Sequence, residues 1–488
     1  MSGAVIGDWH QHYTVTLMAV QRRATRAADQ STVKVTGVTT HTASVPAHED
    51  STDRFAGLLT PDSLSALMRS TWTWDDRALR RDLAVLLVDV DAAAAAANSA
   101  DSPPALARAR TLHARVLSSA ARFVATVLGP KLLADTGNPL REQFLSDAID
   151  PARFDRAAAA GFASVREDAP AYIAAQTRQL EYPPPSAWLD LVRSDGESGL
   201  GSALRGYGNS LSDSPFYGTI GLAWQTLRAV SRDNGKAIEY ADQIAAGTIS
   251  ATLAAAEQTG SWDPALVRTR AIETPDEWQL TGVKQFVPAA ESADVIFVIA
   301  RSTAGPSLFA VTKSAPGVTV TPLEVVDSTR PLSQVALTDT PAVLLGAEGA
   351  GGRLMMRAID LATTALAAEQ VGLIEKAMSM LVGHTPESSG TAEFHTRVAE
   401  VALDHVAAAG LWRRALAEDA AGSAEAAPAA AAAHVGCSAA AVRAATAAAE
   451  LVGPSPETAA LLRRALSGSL LFGGPALSHE RFLERLGV

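Results

Sequence analysis

Residues with chemistry in them are thinly spread through this 488-residue chain. The stretch AEQTGSWDP (256–264) sets two acids, Glu257 and Asp263, on either side of a turn. Near the C-terminus, VGPSPET (452–458) leaves Glu457 as the sole acid behind a late glycine, Gly453. Ser455, Pro456 and Glu457 also make an ordinary helix start: cap, N1 proline, first-turn acid. GAEGAGG (346–352) offers glycines beside a helix start. It lacks the Lys-Ser/Thr ending of a phosphate-cradling P-loop, so a plain strand-to-helix turn is favoured. HQH (10–12) has no cysteine or acidic cluster to complete a metal site. No G-x-S-x-G elbow supports serine hydrolase chemistry.

The elements that must position these residues follow from hydrophobic period. Residues 1–60 read as an irregular lead-in with one or two strands in QSTVKVTGVTTHTASV. Helix is expected from Pro61 to about Asp91. Residues 91–105 read as a low-complexity joint, with Pro103 and Pro104 stopping any helix. From Leu106, the spacing of Leu112, Val116, Phe123 and Val127 gives an amphipathic stripe. More helix is expected at 151–180 and 217–246, with loops at YPPPSAW and RSDGESGLGS. Between about 250 and 345 the pattern changes to strands, with a turn at Thr281-Gly282 and a buried strand in ADVIFVIAR. Six to eight strands in an antiparallel sandwich or barrel are expected. Helix resumes after GAEGAGG, with a helix–helix connection at 420–434 broken at Pro428. The expected domains are an irregular extension with helix (1–104), a helical domain (105–249), a β-domain (250–345) and a helical bundle (346–488). The fold class is α+β, mostly α, and not a strand–helix alternation.

Composition narrows the function. The net charge of −11 and pI near 5.4 give no generic attraction to nucleic acid or an anionic membrane surface. One cysteine, Cys437, excludes an internal disulfide. No leader is visible in MSGAVIGDWHQH, and no membrane span is expected. A reducing cytoplasm is the expected compartment.

The order of elements, and several segments within it, resemble the acyl-CoA dehydrogenase family of flavoproteins, as a divergent, actinobacterial-like member. The likeness runs through GLAWQTLRAVSRDNGKAIEYADQIAAGTISATLAAAEQTGSWDP, WQLTGVKQFVPAAESADVIFVIAR, LLGAEGAGGRLMMRAIDLATTALAAEQVG and AAAELVGPSPETAALLRRALSGSLLFGGP. It covers roughly 215–488. It implies an N-terminal helical domain, a middle antiparallel β-domain and a C-terminal helical bundle. It implies FAD as cofactor, and an acyl-CoA or acyl-carrier thioester as substrate. The reaction is α,β-dehydrogenation: a carboxylate removes the α-proton and flavin N5 takes the β-hydride. Expected partners are an electron-transfer flavoprotein and like chains in a homo- or hetero-oligomer.

Carried over by residue, Glu257 and Asp263 match the acids of the family's flavin loop, with Ser261 and Trp262 beside them. Trp262 replaces a serine that reaches the FAD pyrophosphate. Phe286, Val287 and Pro288 stand where an aromatic residue and a threonine flank the flavin ring. Pro288 brings neither hydroxyl nor N–H. Gly453 is what remains of the late glycine turn. Asp360 matches the first residue of an acyl-CoA-binding D-x-x-R, whose arginine is Thr363 here. HTPESSGTAEF lacks the family's arginine-glycine loop. The base falls on Glu457, because the alternative helix position is Ala362. Three activities remain open: an acyl-thioester dehydrogenase, alone or as one chain of a heteromer; a degenerate structural or regulatory partner subunit; and a flavin monooxygenase of the same fold.

Overall fold

The computed structural model describes residues 55–134, 144–145, 152–177, 184–193, 197–230, 234–384 and 391–488. The expected lead-in strands, the HQH motif and most of the HTPESSGTAEF loop lie outside them. The chain divides into two compact units, Met1–Ala169 with Phe482–Val488, and Pro170–Arg481.

The first unit is helical where described. α1 (Pro61–Ser70) is capped by Thr60, whose hydroxyl accepts from Ser63 N. α2 (Arg77–Asn98) starts at Asp76 and runs through the whole alanine tract. The joint expected from residue 91 is therefore four residues long, 99–102. Pro103 and Pro104 do not stop a helix. They open α3 (Pro103–Leu128), because a first-turn proline gives up only N–H groups that have no helical partner. Phe55 packs on Phe144 and Phe154 in this unit's core. α4 (Ala152–Gln176) follows.

The second unit carries the β-domain and the long helices. Short helices lead in: α5 (Trp188–Arg193), α6 (Ser202–Ser210), a π-helical turn (Tyr217–Trp224), α7 (Gln225–Ala229) and α8 (Gly235–Ala245). Seven strands follow: β1 (Ala251–Ala254), β2 (Arg270–Glu273), β3 (Trp278–Pro288), β4 (Val295–Ser302), β5 (Gly305–Thr312), β6 (Val318–Pro322) and β7 (Leu332–Leu345). The sheet runs β1-β4-β2-β3-β7-β5. β6 pairs with β7, and β4 pairs again with β5, closing the path. Pairing is chiefly antiparallel, but β1 and β2 meet β4 in parallel.

The turn expected at Thr281-Gly282 is absent. β3 runs straight through, with its register against β7 shifting between Leu280 and Gly282. A Cβ on Gly282 would stand 2.7 Å from the Thr269 Cα. The glycine therefore allows a close crossing instead of a reversal.

Four long helices close the unit: α9 (Gly351–Gly383), α10 (Thr391–Ala421), α11 (Ala426–Val452) and α12 (Pro456–Leu470), followed by α13 (Gly474–Leu486). Pro428 lies in the first turn of α11. Length and composition would let α11 cross a membrane, with mean hydropathy 1.3 over its most apolar 18 residues. In the fold it packs against α9, α10 and α12. Small residues bring the helices together. A Cβ on Gly208 would meet Glu369 O at 2.1 Å, and one on Gly372 would meet Arg205 O at 2.0 Å.

Candidate functional site

The loop from β1 to β2 turns at Gly260, whose φ of +69° suits a residue without Cβ. Of its two acids, Glu257 faces inward and Asp263 is exposed. Glu257 accepts from Arg268 N (3.0 Å), Thr269 N (2.9 Å), the Thr269 hydroxyl (2.8 Å) and Lys284 Nζ (2.8 Å). Lys284, wholly buried on β3, also donates to Ala255 O at 3.1 Å. Burial alone would raise the Glu257 pKa, but the Lys284 hydrogen bond and charge, with the Thr269 donors, hold it below 4.5. Burial outweighs the same pairing for Lys284 and pulls it down to about 8. Glu257 thus ties the loop to β3. Asp263 caps the short turn Pro264–Leu266 by accepting from Ala265 N, and Ser261 Oγ accepts from Asp263 N at 3.1 Å.

Trp262 is buried and meets the Phe472 ring at 4.8 Å between centroids. Phe472 itself sits at φ +59° before Gly473 and Gly474, in a sharp corner between α12 and α13. Phe286, at φ +55°, is 45 % exposed and lies beside Gly260. Val287 is buried. The Pro288 carbonyl accepts from the Thr252 hydroxyl at 2.6 Å, and Ala289 N donates to Pro331 O at 3.0 Å.

Glu457 stands elsewhere. It is 55 % exposed, and its Oε1 lies 2.5 Å from Lys376 Nζ. Ser455 and Thr458 form a reciprocal cap around it: Thr458 N donates to Ser455 Oγ, and Ser455 N to Thr458 Oγ1. Gly453, at φ +92°, ends α11, with open space where a Cβ would project. Asp360 is buried on α9, and its carbonyl accepts from the Thr363 and Thr364 hydroxyls.

Sequence reading missed the most charged buried cluster. Glu369 Oε1 accepts from Arg330 Nη2 (2.5 Å) and Arg464 Nε (2.7 Å), all three side chains nearly or fully buried. Arg464 also donates to the Thr329 carbonyl (2.5 Å) and hydroxyl (2.9 Å) and lies over the Tyr207 ring. Arg330 lies over the Tyr217 ring. Asp327 accepts from the Ser467 hydroxyl at 2.6 Å. The cluster pins the β6–β7 connection to α9 and α12. One signal was available: Glu369-Gln370 interrupts an apolar helix face in ALAAEQVGL. A buried acid of that kind needs a cation from elsewhere.

The comparisons with known proteins bear on this geometry. The family described as acyl-CoA dehydrogenase, middle domain, matches residues 252–339. The cyclohex-1-ene-1-carbonyl-CoA dehydrogenase of Geobacter metallireducens is 30 % identical over 150 residues, 29 % of this chain. The middle β-domain is of the acyl-CoA dehydrogenase type. That match spans 40 % of the Geobacter protein's length. Butyryl-CoA dehydrogenase from Megasphaera elsdenii shares the fold with a TM-score of 0.56 at 18 % identity, over 65 % of this chain and 97 % of that one. The glutaryl-coenzyme A dehydrogenase–glutaryl-CoA complex does so with a TM-score of 0.53 at 20 % identity, over 66 % and 87 %. These likenesses establish an acyl-CoA dehydrogenase fold: mostly helical, around a middle β-domain.

FAD is the cofactor this fold implies, and the residues present do not fit it on this chain alone. The half-exposed Phe286 ring remains as an apolar wall. Among the described residues, the polar grips are missing or taken. Trp262 packs on Phe472, Pro288 has no donor, Ala289 N–H serves Pro331, and Glu257 is consumed by its own loop.

Proposed function

We propose that this chain is the non-catalytic member of an acyl-CoA dehydrogenase-type flavoprotein assembly, in which another chain supplies the base and the main flavin contacts. The observation that carries this reading is the Glu457–Lys376 pair. An α-proton base works in an enclosed site where its pKa can be tuned toward its task. Glu457 is more than half exposed and held by a lysine. In this reading the assembly acts on an acyl thioester in the cytoplasm and passes electrons to an electron-transfer flavoprotein. This chain contributes the fold and an interface.

The test is anaerobic mixing of the purified chain with FAD and a panel of acyl-CoAs, followed by absorbance near 450 nm. The chain alone gives no bleaching; a complex co-expressed with an acyl-CoA dehydrogenase-like chain bleaches. Bleaching by this chain alone overturns the reading.

A second reading, a stand-alone dehydrogenase, draws on the middle-domain match and on the Geobacter relative, whose name is that of a dehydrogenase. It requires that Glu457→Gln abolish turnover with the fold intact.

A further inference from the structure

Three rings from distant parts of the chain pack in series. Trp262, in the β1–β2 loop, meets Phe472 at 4.8 Å between centroids with the planes tilted by 59°. Phe472, in the corner between α12 and α13, meets His434 of α11 edge-on, at 5.9 Å and 86°. None of the three residues is more than 8 % exposed. Tilted and edge-on pairs at such distances are the favoured ones, and they gain more than the area they bury.

Each end of the series has its own frame. On the loop side, Glu257 is anchored to β3 through Lys284, and Asp263 caps the turn that follows Trp262. On the helical side, the Phe472 carbonyl accepts from Arg481 Nη2 at 3.2 Å. Phe472, Gly473 and Gly474 have successive φ values of +59°, +100° and +76°. Glycine takes this conformation freely, and a Cβ on Gly473 would stand 2.5 Å from Leu477 Cδ1. A phenylalanine in it is strained, and such strain persists only where the surroundings fix it. Here the fixing contact is the seat of the Phe472 ring between Trp262 and His434. The loop is thus joined to the helical bundle by protein side chains alone.

We propose that Trp262, Phe472 and His434 form a strap that holds the β1–β2 loop on the helical bundle and fixes it without help from a cofactor. The side chain that spoils the loop for FAD then has a task of its own. The strap rests on ring packing, and not on which chain of an assembly carries the base.

The test is hydrogen–deuterium exchange of the full chain, read by peptide, with no flavin added. In the unmodified chain, residues 256–267 and 468–478 are both protected. Trp262→Ala speeds exchange about tenfold in the loop and in the distant corner alike, the effect of losing one aromatic contact. Peptides from β4 and α9 keep their protection, which shows the fold intact. Phe472→Leu, made from the other side, speeds exchange in the loop. Trp262→Phe keeps an aromatic face and the protection of both segments. Added FAD changes neither segment. A loop that exchanges freely in the unmodified chain, an effect of Trp262→Ala confined to the loop, a loop untouched by Phe472→Leu, or protection gained on adding FAD overturns the proposal.

Discussion

Lys284 Nζ lies 2.8 Å from Glu257 Oε1, at the base of the loop that the family resemblance assigns to the cofactor. The pair makes this loop a self-contained piece of the β-domain.

The pair sets a pH dependence. The folded pKa of Glu257 lies below its ordinary 4.5. Its stabilising contribution is therefore complete above pH 4.5 and is lost as pH falls through the folded value. Glu257→Gln flattens the acid limb of a urea-midpoint series taken from about pH 6 downward. Lys284 acts in the same direction in a higher window: its folded pKa of about 8 lies below 10.5, so stability rises with pH between those values. Lys284→Met removes that rise. An unchanged profile in both variants contradicts the assignment.

Glu369 bridges two buried guanidiniums, and Asp327 supplies the second negative charge of the cluster. Glu369→Gln leaves Arg330 and Arg464 without their carboxylate, and costs about 3–5 kcal/mol in chemical denaturation. Arg464→Lys does not rescue, because an ammonium does not reproduce the fork that reaches both Glu369 and Thr329.

Gly372 lets α9 pass close to α6. A Cβ there would stand 2.0 Å from Arg205 O, a backbone atom with little room to yield. Gly372→Ala costs about 3 kcal/mol. Gly453→Ala acts by another route: it has space for a methyl group but a φ of +92°, and costs about 1 kcal/mol.

Glu457 behaves as a surface charge. Glu457→Gln changes stability by less than about 0.5 kcal/mol, whereas Ser455→Ala, which removes the helix cap, costs about 1 kcal/mol. Equal losses from the two would contradict the cap assignment.

The change from period 3.6 to period 2 made the middle β-domain legible in sequence, and the start of α12 could be read from Ser455 and Pro456. The prolines at 103–104 misled because one residue type both ends helices and begins them; Ser102, a capping residue just before them, was the deciding signal. The apparent turn at Thr281-Gly282 failed for a related reason. A glycine inside a strand marks a close approach as readily as a reversal, and Thr269 is thirteen positions away in sequence. The Glu369 cluster was hidden because Arg330 lies 39 residues before Glu369 and Arg464 lies 95 after it. No local pattern joins them. Trp262 on Phe472 is a still longer link, and it is the contact that most alters what the loop offers a cofactor.

Titration of the purified chain with FAD, followed by visible absorption and by tryptophan fluorescence, tests the central claim most directly. A colourless chain whose spectrum and fluorescence ignore added FAD is the result expected from the Trp262–Phe472 packing and the occupied donors of the loop. A flavin spectrum at about one FAD per chain, bleached by an acyl-CoA, would contradict it.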